Sequence, residues 1–510
     1  MNKMTNAPLA ASLALPEAAA DLRLPSPAVT SSEEAQGDGQ HLIYAATSVP
    51  FAFVPHTEPK DADAIVAKAR TAFEEGPWRK MLATERAAIM RKASAAILDN
   101  ADELARLQTL ETSIVISQSR GMHVSRTAEN FTFFADLLAG HSGESYEQSG
   151  RYLSIVTREP VGIAVLIAPW NAPLVLASMK LAAAISLGNS VIIKPSEYAP
   201  LAVLRMVEII EEAGVPEGVV QVVCGTGPGI GNALVEHPGT DVVGFIGGTE
   251  TGKRIMASAS RNLKKVGLEL GGKSANIILA SADLDRAVDG SMLAIYAGNG
   301  EQCLAGSRIL VEDAVADEFI ERFVARTQAL KIGDPFDPAS EIGPMAFSAH
   351  YSKLLAFAET AHSDADYTVL TGATSVEGMG KGYFFAPTVV EATDNSTMLC
   401  QTELFGPFAM IQRVRNLDEA LAAANDSEFG LASYIWSNDL PSVMKARREI
   451  RAGTVWVNTP MTRDLRSPFG GYKQSGIGRD GLPGSIELFT EEKTTLIPQD
   501  PLMLPKMGSS

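Results

Sequence analysis

Three cysteines are spread through the chain, Cys224, Cys303 and Cys400, at no metal-ligand spacing, so no metal site is expected. Their settings differ. Cys224 follows Val222-Val223, an apolar run of the kind that buries a structural thiol. Cys303 lies in Asn299-Gly300-Glu301-Gln302-Cys303-Leu304-Ala305-Gly306-Ser307, a loop-like stretch flanked by glycines. A thiol there can serve as a nucleophile if a base and an anion-stabilising donor stand beside it. Two other segments offer such groups. Leu268-Glu269-Leu270-Gly271-Gly272-Lys273 sets a carboxylate among apolar residues and glycines, where desolvation raises its pKa toward that of a useful base. Ala168-Pro169-Trp170-Asn171-Ala172-Pro173 ends a strand with an Asn between prolines, which suits a fixed amide donor. Each also has a plainer reading. A lone cysteine is more often structural than catalytic, the carboxylate can be a buried partner, and the Asn can form a turn. The joint occurrence of the three carries the signal.

The glycine-rich loops point less clearly. Gly247-Gly248-Thr249-Glu250-Thr251-Gly252-Lys253 nearly spells the phosphate-binding loop of a nucleoside triphosphatase, but Arg254 stands where that loop needs Ser or Thr to hold Mg²⁺. Gly225-Thr226-Gly227-Pro228-Gly229 lacks the last glycine of the dinucleotide fingerprint, since Ile230 occupies its place. Either loop can be a tight turn, and either is compatible with a helix N-terminus facing a pyrophosphate.

The elements that would position these residues alternate. Helical periodicity begins near Asp61, with Ile65, Val66, Ala69 and Phe73 on one face, and a second helix is predicted over Thr84–Leu107. Short β-branched runs follow at Val161–Ala168, Val191–Lys194, Val219–Val223 and Asp241–Ile246, separated by the helix-like stretches Pro200–Ala213 and Gly229–Glu236. This predicts a parallel sheet covered by helices, an α/β nucleotide-binding architecture. A second alternating region runs from Ala275 to about Val457, with strands at Ala275–Leu279, Arg308–Val311, Met410–Val414 and Thr454–Val457. Tyr146–Arg158 reads as an extended arm and Glu487–Ile497 as a final strand.

At 510 residues the chain is too long for one core. A formal charge of −17 argues against nucleic-acid or anionic-membrane partners, and no apolar stretch approaches the roughly 20 residues of a spanning helix. The odd cysteine count suggests a reducing, cytoplasmic setting. Residues 1–40 are rich in Ala, Pro and Ser without periodicity and are expected to form a poorly ordered tail. Lys3 with Ala7–Leu15 resembles a signal peptide only weakly, because Pro16-Glu17 interrupt it.

Taken together, Pro-Trp-Asn at Asn171, Glu-Leu-Gly-Gly-Lys at Glu269 and Gly-Glu-Gln-Cys at Cys303 resemble the aldehyde dehydrogenase superfamily. Further matching segments are Lys194-Pro195-Ser196-Glu197, Phe245-Ile246-Gly247-Gly248-Thr249-Glu250, Glu403-Leu404-Phe405-Gly406-Pro407, Gly453–Asn458 and Pro468–Gly476, in the family's order from about Asp61 to Ile497. The resemblance implies a Rossmann-type NAD-binding domain (41–141 and 161–269), an α/β catalytic domain (270–465) and an oligomerisation arm (142–160 and 482–500), hence a homodimer or homotetramer. It implies Cys303 as nucleophile, Asn171 as oxyanion donor, Glu269 as base for water and Lys180 near that base. It also implies Ala168, Trp170, Lys194, Ser196, Glu197, Gly227, Phe245, Gly247, Gly248, Leu270, Glu403 and Phe405 around the cofactor. A carboxylate at Glu197 would accept the ribose hydroxyls and repel a 2′-phosphate, favouring NAD over NADP. Ile246 and Gly248 depart from the Thr and Ser common in the family's pyrophosphate loop.

The implied substrate is a small aldehyde. Residues around its access tunnel would be Arg120, Leu176, Met179, Leu304, Arg463, Arg466 and Phe469. Arg463-Asp464-Leu465-Arg466 is similar to a segment of the muconic semialdehyde dehydrogenases of aromatic-ring degradation. Guanidinium groups hold carboxylates bidentately, as an aldehyde acid would require. The same arginines can instead pair with Asp464 and shape the loop, in which case a neutral aromatic or aliphatic aldehyde fits. The alternatives from other classes are a phosphate-loop triphosphatase and a catalytically silent family member.

Overall fold

The computed structural model describes residues 15–30, 37–140, 143–148 and 150–508. Its first large sheet has six strands in the order Gly476–Ile477, Lys265–Glu269, Val242–Ile246, Ile163–Ile167, Ser190–Lys194, Val220–Val222. All neighbours are parallel except the short Gly476–Ile477 strand, which runs antiparallel against Leu268 and Glu269. Strand alternation explains why helices cover both faces. Ile163, Val165 and Ile192 face a cluster with Val66, Ala69 and Phe73 of the helix Ala62–Glu74. Ala164, Leu166, Val191 and Ile193 face the opposite cluster, built on the helices Ala83–Asp99, Val124–Gly140, Pro173–Ser186 and Leu201–Glu212.

The second sheet has seven strands in the order Tyr367–Thr371, Thr388–Ala392, Phe408–Val414, Arg308–Glu312, Ala275–Ile278, Ala432–Trp436, Thr454–Val457, with only the first pair antiparallel. A separate three-stranded antiparallel sheet joins Glu144–Gln148, Tyr152–Pro160 and Thr490–Pro498. No helix among the described residues is long and apolar enough to cross a membrane.

Several expectations need correction. The tail is not structureless over residues 15–30. Ala19, Leu22, Leu24 and Ala28 are buried in the main core, and Val29–Thr30 pairs with the strand Val49–Pro55, which also pairs with Gly39–Tyr44. The small hydrophobes there are too sparse to show a period, yet the turn Glu17–Ala19 packs on the helix Ala101–Thr112. Residues 1–14 and 31–36 lie outside the described residues. The strands before Asp61, unrecognised in the sequence, therefore exist. The helix expected over Thr84–Leu107 is two helices, Ala83–Asp99 and Ala101–Thr112, broken at Asn100, whose side chain donates to the Ala96 carbonyl. Residues 466–481, assigned to no domain in the sequence, send the strand Gly476–Ile477 back to the first sheet.

Candidate active site

The parallel strands of the first sheet end on one edge, and each end carries one of the sequence-predicted residues. Ile163–Ile167 runs into Ala168, Trp170 and Asn171. Ser190–Lys194 runs into Lys194, Ser196 and Glu197. Val242–Ile246 runs into Gly247 and Gly248, and Lys265–Glu269 ends on Glu269 itself. Lys194 Nζ donates to the Pro195 carbonyl at 2.9 Å and lies 3.5 Å from Glu197.

Cys303 arrives from the second sheet, in the loop between the helix Leu284–Tyr296 and the strand Arg308–Glu312. Three successive residues before it, Gly298, Asn299 and Gly300, have φ of 58°, 58° and 73°. Asn299 is held in that strained conformation by donating to the Ser113 and Pro344 carbonyls and accepting from Gly343 N–H. The loop then presses on the first sheet's edge: a Cβ at Gly272 would stand 2.5 Å from the Cys303 carbonyl oxygen. Asn171 Nδ2 donates to the Glu301 carbonyl at 2.7 Å, tying the amide to the cysteine loop.

Between the two sheets lies a cavity of about 360 Å³ lined by Trp170, Asn171, Leu176, Gly247, Gly248, Glu269, Leu270, Cys303, Glu403 and Phe405. Ten of the predicted residues thus share one wall system. Phe347, His350 and Lys353 line it too and were missed, because neither the residue that caps the helix Ser348–Ser363 nor its first turns carry a motif. His350 Nε2 lies 2.7 Å from the Phe405 carbonyl, and Trp170 stands edge-on to Phe405.

The acids of this cavity are all held toward their neutral forms. Burial pushes the Cys303 thiol up to about 12, with Glu403 and Glu269 adding to it and Arg463 opposing. Glu269 is raised well above the usual carboxylate range by burial and by Asp480, against Lys180, Arg463 and Arg479. Its Oε2 is buried without a hydrogen-bond partner. Burial raises Glu403 to about 7, although it accepts from Gly272 N–H at 3.0 Å. Lys180 forms a buried ion pair with Asp480 at 2.7 Å, both side chains under 5% exposed. Asp480 was not foreseen: only the returning strand Gly476–Ile477 brings it under Glu269, and nothing local in the sequence marks it.

The remaining predicted residues divide. Met179 is buried and its sulfur lies 2.8 Å from Arg463 Nη2; the same guanidinium covers the Phe469 ring at 4.4 Å. Leu304 packs with Tyr434 and Trp456, and its carbonyl accepts from Tyr434 OH. Ala168 and Phe245 are buried behind the edge, and Ser196 Oγ accepts from Tyr198 N–H. Gly227 opens a turn capped by Thr226, facing open space. Two arginines are not brought in. Arg466 is 79% exposed and forks onto both oxygens of Asp464, two residues away, and Arg120 pairs with Asp102 on the neighbouring helix. The triphosphatase reading also loses its lysine, since Lys253 turns outward to Glu250.

The model of the aldehyde dehydrogenase family matches residues 32–495. Human cytosolic 10-formyltetrahydrofolate dehydrogenase is 38% identical over 445 residues, covering 85% of this chain and 49% of that protein, so the chain spans about half its length. Betaine aldehyde dehydrogenase of Bacillus subtilis is 37% identical over 437 residues, covering 85% of this chain and 89% of that one. The structure of betaine aldehyde dehydrogenase from Staphylococcus aureus in complex with NAD⁺ superposes with a TM-score of 0.90 at 33% identity, covering 94% and 95% of the two chains. With a match of this extent, on a fold whose two sheets bring Asn171, Glu269 and Cys303 to one cavity, the chain belongs to the aldehyde dehydrogenase family.

Proposed function

We propose that the chain oxidises an aldehyde to a carboxylate with NAD⁺, through a thioester on Cys303. The observation that carries this reading is the convergence of Cys303, Asn171 and Glu269 on one cavity from two sheets. The cofactor fits the residues present. The cavity reaches from the Gly247-Gly248 backbone, at the N-terminus of the helix Thr249–Ala259, to Cys303. No heavy atom lies within 4 Å of where a Cβ on Gly248 or Gly227 would stand, which leaves room for a pyrophosphate against the backbone. Lys194 and Glu197 would hold the adenosine ribose, and Glu403 and Phe405 the nicotinamide end. When bound, the nicotinamide supplies the two-electron acceptor that turns the Cys303 adduct into a thioester.

The chain's own residues do the rest. The Cys303 sulfur adds to the aldehyde carbon, and the carbonyl oxygen takes up the charge against the Asn171 amide and the Cys303 N–H. Asn171 has its second amide hydrogen free for this, its first being directed to the Glu301 carbonyl. Glu269, made a stronger base by burial, takes a proton from water, which displaces the sulfur and releases the acid.

Arg463 supports an aldehyde bearing a distal carboxylate, of the semialdehyde-acid type met in aromatic catabolism. It is the loop arginine whose charge is felt at both Cys303 and Glu269. A neutral aromatic aldehyde is the second reading, favoured by Leu176 on the cavity wall and by the apolar Met179 and Phe469 packed around Arg463. The exposed edge strand Thr490–Pro498 supports a homodimer or homotetramer, and three free thiols accord with the cytoplasm.

Cys303→Ala should abolish NADH formation while NAD⁺ binding persists. Glu269→Gln should give a burst of about one NADH per site before a weak steady state, with the acyl group found on Cys303 by mass spectrometry. A silent Cys224→Ala enzyme beside an active Cys303→Ala enzyme would refute the assignment.

A further inference from the structure

Phe347 lines the cavity, and Tyr198 reaches it from the other sheet's side. Tyr198 follows the strand Ser190–Lys194 of the six-stranded sheet, next to Glu197, whereas Phe347 caps the helix Ser348–Ser363 beside the seven-stranded sheet. Their rings nevertheless stack face to face, centroids 4.0 Å apart and planes 4° from parallel. Phe347 also meets the Trp170 ring edge-on at 5.1 Å and lies 5.8 Å from the His350 ring. Both stacked residues are half-buried, and Phe347 is itself part of the cavity wall.

We propose that the Tyr198–Phe347 stack is a clasp across the cofactor cavity that sets how fast the dinucleotide enters and leaves. The inference rests on the NAD-dependent reading above. The stack joins the flank of the ribose-binding residues Lys194 and Glu197 to the wall that carries Trp170, His350 and Phe405. On the NAD-dependent reading, a dinucleotide reaching from Glu197 to Cys303 would have to pass this stack. The contact is made between two side chains of the chain itself, and no part of it is a contact to the cofactor. It therefore raises the barrier to passage in both directions and leaves the affinity nearly unchanged. A wall contact to the cofactor would behave differently, slowing release alone.

The test is stopped-flow fluorescence of NADH binding to and dissociating from the full-length protein, with no aldehyde present. Tyr198→Ala and Phe347→Ala should each raise the association and dissociation rates together, roughly three- to tenfold, the worth of an aromatic stack, with Kd changed less than about twofold. Tyr198→Phe, which keeps the ring, should match the unaltered protein. Unchanged rates in both alanine variants would overturn the clasp. So would a rise in dissociation alone with a matching loss of affinity, which would make Phe347 a mere contact. If the unaltered protein bound no NADH, the NAD-dependent reading would fail and the clasp with it, an outcome distinct from the other two.

Discussion

Removing the Arg463 guanidinium should separate substrates by the charge at their far end. The side chain is largely fixed before any ligand arrives: it lies over Phe469, and Nη2 contacts the Met179 sulfur. Nε is buried and has no hydrogen-bond partner. A carboxylate that reached Nε would supply the acceptor this buried donor lacks, and burial holds the guanidinium pKa below its usual value. A charge-assisted contact there contributes about 1.5–3 kcal/mol, so Arg463→Ala should lower kcat/KM for a semialdehyde acid by roughly ten- to a hundredfold. A smaller loss should fall on every aldehyde alike, because Arg463 also draws the Cys303 thiol down. The ratio of the two substrates, the acid against benzaldehyde, isolates the contact. Arg466→Ala should leave that ratio unchanged, since Nε and Nη2 are already taken by Asp464 at 3.0 and 2.6 Å on an exposed loop. Arg120→Ala should also leave it unchanged, its guanidinium being paired with Asp102. Equal losses on both substrates in Arg463→Ala, or a selective loss in Arg466→Ala, would refute the reasoning and favour a neutral aldehyde.

Glu197→Ser should narrow the preference for NAD⁺ over NADP⁺ by about tenfold in kcat/KM, and equal use of both by the unaltered protein would show that the carboxylate faces elsewhere. Asp480→Asn should lower the Glu269 pKa, because Asp480 raises it and a freed Lys180 charge would lower it further; the acid limb of the thioester-hydrolysis rate should move to lower pH. Lys180→Met should move that limb the other way, and an unshifted limb in both variants would remove Glu269 as the titrating base. Lys180→Met should also destabilise the fold by about 3–5 kcal/mol in urea unfolding, because it leaves a buried carboxylate alone, whereas Lys180→Met with Asp480→Leu should recover most of the loss.

The sheet edges were legible because their strands are continuous β-branched runs buried on both faces, as at Val191–Lys194. Lys265–Glu269 was not read as a strand, since Lys265 and Gly267 interrupt its apolar pattern; its place between Val242–Ile246 and the returning Gly476–Ile477 supplies the burial that the sequence does not show. Asn171, Glu269 and Cys303 stood out by type and setting. Asp480, His350 and Phe347 did not, because each meets a partner far off in the sequence: Lys180, Trp170 and Tyr198. The three candidate arginines, Arg120, Arg463 and Arg466, looked alike in the sequence. Only the neighbours decide between them, and local pairs such as Arg466 with Asp464 compete with any substrate.

The shared burial of Cys303 and Glu269 has a chemical consequence. Burial holds the Cys303 thiol in its protonated form when water is the proton acceptor. The same desolvation that suppresses the thiolate also raises Glu269, so the two pKa values move in one direction. Proton transfer from the thiol to the carboxylate is then penalised far less than loss of the proton to bulk water. The thiol is held protonated, yet a carboxylate with base strength raised by the same burial lines the same cavity. Asp480 adds to that strength from beneath, and Lys180 limits it by pairing with Asp480. On the proposed mechanism the return of residues 476–480 to the first sheet therefore bears on base strength, because Asp480 raises Glu269 against Lys180, Arg463 and Arg479.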